Sequence, residues 1–187
     1  ITVPGMADSW VAVLERYGTM SLRDVLQPAI AYADKGFPIT NDQVHFTEKN
    51  KEILLQTATT SAIYMQNGQV PEAGTRFIQS NLAKSLQILA EKSRDAFYHG
   101  ELAEEIISYI QGENGYLTRA DFANHHGEWV EPISVQYRDY TIYQVPPNSQ
   151  GFVGLMALNI LENVDFSKIP HNSPEYFHIL VEALKES

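Results

Sequence analysis

The sequence predicts an α+β fold, mostly helical, in which several helices pack around one antiparallel β-hairpin. Three observations predict it. Ile133 to Tyr137 and Tyr140 to Val145 are β-rich runs flanking a two-residue turn, Arg138 and Asp139, which reads as a hairpin. From Phe152 to Leu161 only Gly154 and Asn159 are not apolar, which reads as a helix buried on all sides. Elsewhere the apolar residues recur at helical spacing behind capping residues, and no strand–helix alternation suggests a parallel sheet.

The hairpin register places Tyr137 opposite Tyr140 and Val135 opposite Ile142. One face then carries Ile133, Val135, Tyr137, Tyr140 and Ile142. Asp139 is the turn residue expected to take a positive φ, less easily than Gly would. Pro146 and Pro147 cannot donate ladder hydrogen bonds, so the second strand stops before them. The hairpin and the helix after it are expected to form the core on which the other helices pack.

From the N-terminus, Val3 to Gly5 reads as a turn or strand end. Asp8 can cap a helix reaching Tyr17, which Gly18 ends. Ser21 with Asp24 resembles a capping box, so the next helix starts near Leu22 and runs to Gly36. Pro28 removes a hydrogen bond inside it, so the helix kinks there or two short helices meet. Phe37 to Ile39 is extended, and Asn41 or Asp42 caps a helix towards Leu55. Thr57 to Ser61 is small and polar, and Ala62 to Met65 follows it. Asn67 and Gly68 form a turn, Pro71 to Gly74 a loop, and Phe77 with Ile78 a short apolar anchor.

The clearest helix runs from Leu82 to Lys92, capped by Ser80 or Asn81, with Leu82, Leu86 and Leu89 in one stripe. Arg94 to Tyr98 is a half-turn before Gly100. Glu101 to Gln111 is amphipathic, with Leu102, Ile106 and Ile110 apolar and three glutamates in its first turns, where the helix dipole favours anions. After a turn at Gly112 to Gly115, Thr118 caps a short helix from Arg119 to Ala123. Asn163 to Asn172 is loop. Ser173 caps the last helix, with Pro174 in its first position and Tyr176, Phe177, Ile179, Leu180, Val181 and Leu184 on a wide apolar face.

The 187 residues suffice for one domain with a core of its own, and 1–187 is expected to be a single domain. A net charge of -10 argues against binding a phosphate backbone, so no nucleic-acid partner is expected. With no cysteine, disulfides, thiolate metal sites and a Cys nucleophile are excluded. No run approaches the roughly 18 apolar residues of a membrane span. Ile1 to Val3 opens in β-like sequence without a leader, and Pro174 to Ser187 still reads as helix at the last residue. An excised piece of a longer protein is therefore expected.

No catalytic constellation is legible from the residues alone. His125 and His126 with Asp121 and Glu128 have the wrong spacing for a metal site, which needs imidazoles four residues apart on one helix face. They read as a solvated loop. His99 and His178 are lone histidines, on the surface or satisfied in the core. Glu101, Glu104 and Glu105 read as a solvated helix start rather than acid–base carboxylates. Asn148 to Gly151 precede the apolar helix, where free N–H groups could cradle an anion. With no basic residue beside them, a cap with a close-packed Gly is the better reading. Ser149 lacks the Gly-x-Ser-x-Gly elbow of a nucleophile. Tyr137, Tyr140 and Tyr143 read as sheet packing before a stacking platform.

Eight groups of residues in order nevertheless form a pattern. They are Val3–Gly5 before a helix with Trp10, Tyr17 and Gly18; Gln27–Ile30 with Ala33–Phe37; Leu82–Ala83 to Leu89–Ala90; Asp95–Gly100; Gly115–Thr118 with Asp121–Ala123; Pro132–Ser134 with Tyr137–Tyr140; Pro146–Gly151; and Leu158–Glu162. Together they resemble the γ-glutamyltransferase (γ-glutamyltranspeptidase) family over essentially the whole chain. Two departures stand out: Asp139 occupies a turn position usually held by Gly, and Asn148 and Gln150 vary a loop that in many members reads Pro-Pro-Pro-Ser-Ser-Gly-Gly. They point to another branch of the family and leave substrate preference open.

The resemblance implies a fragment of an N-terminal-nucleophile hydrolase with an αββα parent fold. In that family a precursor cleaves itself into large and small subunits, and the new N-terminal Thr attacks a γ-glutamyl amide, for example that of glutathione. The chain matches the latter part of the large subunit. The Thr would lie beyond Ser187, and the Arg that holds the substrate carboxylate before Ile1. Hence no catalytic, cofactor-binding or metal-ligating residue is expected within 1–187, no cofactor is expected, and the chain alone is expected to be inactive. Its partners would be the rest of the large subunit and the small subunit, with a possible homodimer through an exposed apolar face. The resemblance also suggests an extracytoplasmic setting. The rival expectations are a free-standing helical binding or scaffold module, and a relative acting on poly-γ-glutamate or a cephalosporin side chain.

Overall fold

The computed structural model describes residues 2–187, so Ile1 of the β-like opening lies outside the described residues. The chain divides into two compact units, one up to Gly127 and the other from Glu128 to Ser187.

The first unit is helical. Its elements are α1 (Met6–Tyr17), α2 (Leu22–Lys35), β1 (Phe37–Pro38), α3 (Asn41–Lys49), α4 (Lys51–Leu55), α5 (Ala58–Tyr64), β2 (Arg76–Phe77), α6 (Ser80–Tyr98), α7 (Glu101–Gly112) and α8 (Arg119–Ala123). Local chemistry explains most of the boundaries. The Ser21 hydroxyl accepts from the Asp24 N–H and starts α2. Pro28 sits inside α2 without dividing it. Thr40, rather than Asn41 or Asp42, caps α3, and the helix is interrupted at Asn50 before α4. Thr118 and Asp121 form a complete capping box for α8.

Gly36 ends α2 at φ +75°, and a Cβ there would lie 2.6 Å from Arg76 Cγ and 2.8 Å from the Phe77 carbonyl oxygen. The glycine therefore lets β1 turn straight back onto β2. The two strands form an antiparallel ladder, Phe37 opposite Phe77, which the sequence reading of Phe77 and Ile78 as an isolated anchor did not contain. Asn67 and Gly68 both take positive φ in the turn between Gln66 and Gln69, as a tight hairpin turn requires.

The core of this unit corrects the expectation that the hairpin and the apolar helix are the centre of the molecule. It consists of Ala7, Leu26, Ile30, Leu89, Tyr98, Ala103, Ile107 and Phe122, with α2 packed along α6 and α7 against α6. Alanines at two of these eight positions, Ala7 and Ala103, let the helices approach closely, while Tyr98 and Phe122, the largest fully buried side chains, fill the remaining space.

The second unit contains β3 (Ile133–Tyr137), β4 (Tyr140–Gln144), α9 (Gly151–Leu161), a 3-10 turn (Phe166–Lys168) and α10 (Pro174–Lys185). The hairpin register is the one read from sequence, with Tyr137 opposite Tyr140 and Val135 opposite Ile142. Ser173 and Pro174 start α10 as expected. The apolar helix α9 is only partly covered. The hairpin and α10 pack on it and bury Leu155, Ala157 and Leu161, whereas Phe152, Met156 and Ile160 remain exposed.

The hairpin turn gives a second correction. Arg138, not Asp139, takes the positive φ, at +54°. The reason lies at the end of α9. The Arg138 N–H donates to Glu162 Oε2 at 2.9 Å, and its guanidinium donates to the carbonyl oxygens of Glu162 at 3.1 Å and Val164 at 2.6 Å. These bonds satisfy carbonyls released at the helix end and offset the strained backbone. Arg138→Ala is expected to lower the stability of this unit by about 1–2 kcal/mol. Arg138→Gly should cost less, by about 1 kcal/mol, because Gly accepts that φ without strain. Urea midpoints for the two variants check this order, and a more stable Ala variant would contradict the account.

Candidate functional site

The most elaborate polar cluster lies in the first unit, and three elements converge to build it. The first turn of α1 supplies Asp8. A break in α6 supplies Arg94: Ser93 there has φ 55° and ψ -150°, a conformation few L residues adopt, and it redirects the last turn of the helix. The segment after α8 supplies His125 and the N–H of Gly127.

Asp8 was expected to cap α1. Instead Gly5 precedes the helix, and Asp8 is buried inside its first turn. Its Oδ1 accepts from Arg94 Nε, and its Oδ2 accepts from the Gly127 N–H. Arg94 also donates to the His125 carbonyl, and its guanidinium carbon stands 4.9 Å from the centroid of the Tyr98 ring. On that ring His125 stacks, at 4.9 Å and 20°. The Tyr98 hydroxyl donates to the Pro4 carbonyl at 2.7 Å and accepts from the Asp8 N–H at 3.2 Å. His125 is therefore half-buried packing and not the solvated loop residue expected. Its Nε2 lies 4.0 Å from Asp8 Oδ2 and is buried without a hydrogen-bond partner among the described residues.

Burial pushes the Asp8 carboxyl up, but the hydrogen bonds from Arg94 and Gly127 and the charges of Arg94 and His125 outweigh it, so the group sits below the usual carboxylate range. Burial likewise raises the Tyr98 hydroxyl, more than its bond from the Asp8 N–H lowers it. A carboxylate held this low, with donors on both oxygens, is a poor general base at neutral pH. A phenol pushed upward is a poor nucleophile. The cluster's chemistry is that of a lock tying α1, α6 and the segment after α8 together. In the cleft beside it, about 560 Å³ and lined by Asp8, Glu15, Ser93, Arg94, Asp95 and His126 among others, the Arg94 guanidinium is already engaged by Asp8.

The sequence-weighed candidates fall elsewhere. Asp121 is taken up in the α8 capping box, and Nδ1 of His126 lies 3.1 Å from the Asn124 carbonyl. Among the described residues no three His, Asp or Glu side chains group as a metal site would need. Glu101 pairs with Lys92 at 2.6 Å and Glu104 with Arg119, so these glutamates bind cations and not one another. His99 lines a shallow cleft with Lys92 and Asp95, and His178 faces the groove between α9 and α10. The Ser149 hydroxyl donates to the Val145 carbonyl at 2.8 Å and accepts from the Gly151 N–H at 3.2 Å. A Cβ on Gly151 would lie 2.9 Å from Gln144 Cβ, so this stretch closes tightly onto β4. Tyr137 lies under Arg138, while Tyr140 and Tyr143 are exposed. No local pattern could have revealed the Asp8 cluster, because its partners stand 86 and 119 residues away in sequence.

Comparison with known proteins adds what the side chains alone do not carry. A family model described as gamma-glutamyltranspeptidase matches residues 1–187. The chain is 56% identical over its whole length to the "Glutathione hydrolase-like YwrD proenzyme" of Bacillus subtilis, of which it spans 36%. The crystal structure of Helicobacter pylori gamma-glutamyltranspeptidase superposes with a TM-score of 0.90 at 29% identity, covering 97% of this chain and 53% of that one. A cephalosporin acylase from Bacillus halodurans superposes at 0.87 with 34% identity, covering 99% and 35% respectively.

Proposed function

The chain belongs to the gamma-glutamyltranspeptidase family, and on that premise we propose that it is the helical part of the large subunit of a self-cleaving N-terminal-nucleophile hydrolase that hydrolyses or transfers γ-glutamyl groups. The 56% identity to a glutathione hydrolase-like proenzyme, of which this chain spans about a third, is the observation that carries the reading. The coverages support it further. The matching segment makes up 53% of the Helicobacter pylori chain but 35% of the Bacillus halodurans one, so it resides on a shorter polypeptide in the first, as a divided precursor would give.

In this reading a Thr at the new N-terminus of the small subunit attacks the γ-glutamyl carbonyl, its own amine taking the proton. The amine half of the substrate leaves, and water or an acceptor amine releases the glutamyl group. Hydrogen-bond donors stabilise the tetrahedral oxyanion. Residues 1–187 contribute no catalytic group and hold the architecture behind the site.

The full-length protein is expected to appear after expression as two polypeptides and to hydrolyse a γ-glutamyl anilide, whereas the purified 187-residue chain releases no aniline. Turnover by the purified chain would overturn the assignment of roles. The similarity to a cephalosporin acylase gives a second reading, in which the parent removes a cephalosporin side chain. Comparing kcat/KM for the γ-glutamyl anilide and a glutaryl cephalosporin separates the two.

A further inference from the structure

The sequence holds two Asn-Gly pairs, Asn67–Gly68 and Asn114–Gly115. Such a pair is chemically labile. The asparagine side-chain carbonyl stands one ring closure away from the next backbone nitrogen, and a glycine there has no Cβ to obstruct the approach. Both asparagines are exposed, and both take positive φ, 51° at Asn67 and 60° at Asn114. What separates the two pairs is how the glycine nitrogen is held. The end of α7 locks Gly115. The Asn114 N–H donates to the Gln111 carbonyl at 3.0 Å and the Gly115 N–H to the Ile110 carbonyl at 2.7 Å, the paired bonds of a Schellman helix end. A Cβ on Gly115 would lie 2.9 Å from the Ile110 carbonyl oxygen. The nitrogen can reach the Asn114 side chain only by leaving Ile110 and unwinding the helix end. Gly68 is held by neither hydrogen bond of its turn, which both run between Gln66 and Gln69, at 2.8 and 2.9 Å. A Cβ built on it meets nothing within 4 Å. The turn closes on an isolated bridge, so opening it breaks two exposed hydrogen bonds.

We propose that Asn67 is a site of spontaneous covalent modification, and that the fold protects Asn114 from the same reaction. When the Gln66–Gln69 turn opens, the Gly68 nitrogen attacks Cγ of Asn67. The N–Cγ bond forms, the Cγ–Nδ2 bond breaks, and ammonia leaves carrying the former Gly68 amide proton. Water then opens the cyclic imide. Attack at Cγ gives aspartate, and attack at the backbone carbonyl gives isoaspartate, in which the chain runs through the former side chain. No oxidant or reductant is consumed. The isoaspartyl product puts an extra methylene into a turn whose geometry depends on two residues of positive φ, so the Gln66–Gln69 bridge is lost. The change stands two residues from Met65, which is 5% exposed, and so loosens the anchor at the end of α5. It also adds a negative charge to a chain already at -10. The inference is independent of what the parent protein hydrolyses.

The test incubates the folded full-length protein in mildly alkaline buffer and follows its proteolytic peptides by mass spectrometry. An isoaspartyl methyltransferase with labelled S-adenosylmethionine marks the isoaspartyl product. In the folded protein, conversion at Asn67 is expected to run at least about ten-fold faster than at Asn114, and in urea the two should convert at similar rates. Asn67→Gln, whose longer side chain closes its ring far more slowly, should remove most of the label from the folded protein. Circular dichroism checks that this variant keeps its helices. Equal rates in the folded protein, faster conversion at Asn114, or undiminished label in Asn67→Gln would each overturn the proposal. A ten-fold gap that persisted in urea would place the cause in the neighbouring sequence and overturn the protection assigned to the end of α7.

Discussion

Asp8→Ala is expected to destabilise the first unit by about 3–5 kcal/mol, the cost of breaking a buried ion pair from one side. The side chains of Asp8 and Arg94 are 9% and 27% exposed, so neither partner regains full hydration when the other is removed. The substitution strands the Arg94 guanidinium and the Gly127 N–H together. Asp8→Asn should cost less, because one acceptor remains. Pairing Asp8→Ala with Arg94→Met should cost clearly less than the two single changes summed. Urea unfolding followed by Trp10 fluorescence in a Trp129→Phe background reads the unit concerned. Strict additivity would show that the pair is not coupled. On the proposed assignment of roles, the same variant in the full-length protein should lower activity in proportion to the folded fraction, with KM unchanged; a raised KM would overturn that assignment.

The same carboxyl sets an acid dependence. Its folded-state pKa is depressed, so its contribution is fully present above the unfolded value of about 3.9 and is lost as pH falls through the lower folded value. Stability of the parent chain should therefore fall more steeply below about pH 4 than that of Asp8→Asn.

What the sequence disclosed was chiefly local. The hairpin register, the caps at Ser21, Thr118 and Ser173, and the family pattern all depend on residues a few positions apart, and the structure or the family match agrees with each. What it withheld depends on distant partners. Asp8 looked like a cap because Asp near a helix start usually is one, and nothing nearby names Arg94 or Gly127. Gly36 was read as a helix stop, which it is, but the strand that follows it pairs 40 residues on, Phe37 with Phe77. The core was misplaced for a physical reason. Hydropathy measures what a helix could bury and not what covers it. The apolar α9 leaves Phe152, Met156 and Ile160 in the open, while the less apolar α2 and α6 supply the core through Leu26, Ile30, Leu89 and Tyr98.

Phe122→Ala is expected to cost about 3–5 kcal/mol, the range for a large aromatic removed from a site that cannot collapse. Its side chain is 0% exposed and lies 6.5 Å from the ring of Phe97 and 6.4 Å from that of Tyr98. Helix α8 has five residues, too few to persist without tertiary support. Phe122 provides that support, and the capping box at Thr118 only fixes where the helix starts. Loss of the ring should therefore free the segment that follows and carry Gly127 away from Asp8. The amide of Gly127 should lose most of its hydrogen-exchange protection in Phe122→Ala, while the amides of α9 keep theirs. Adding Asp8→Ala to Phe122→Ala should then cost clearly less than it does alone. If Gly127 stayed protected, the anchor would lie in the capping box and not in the buried ring.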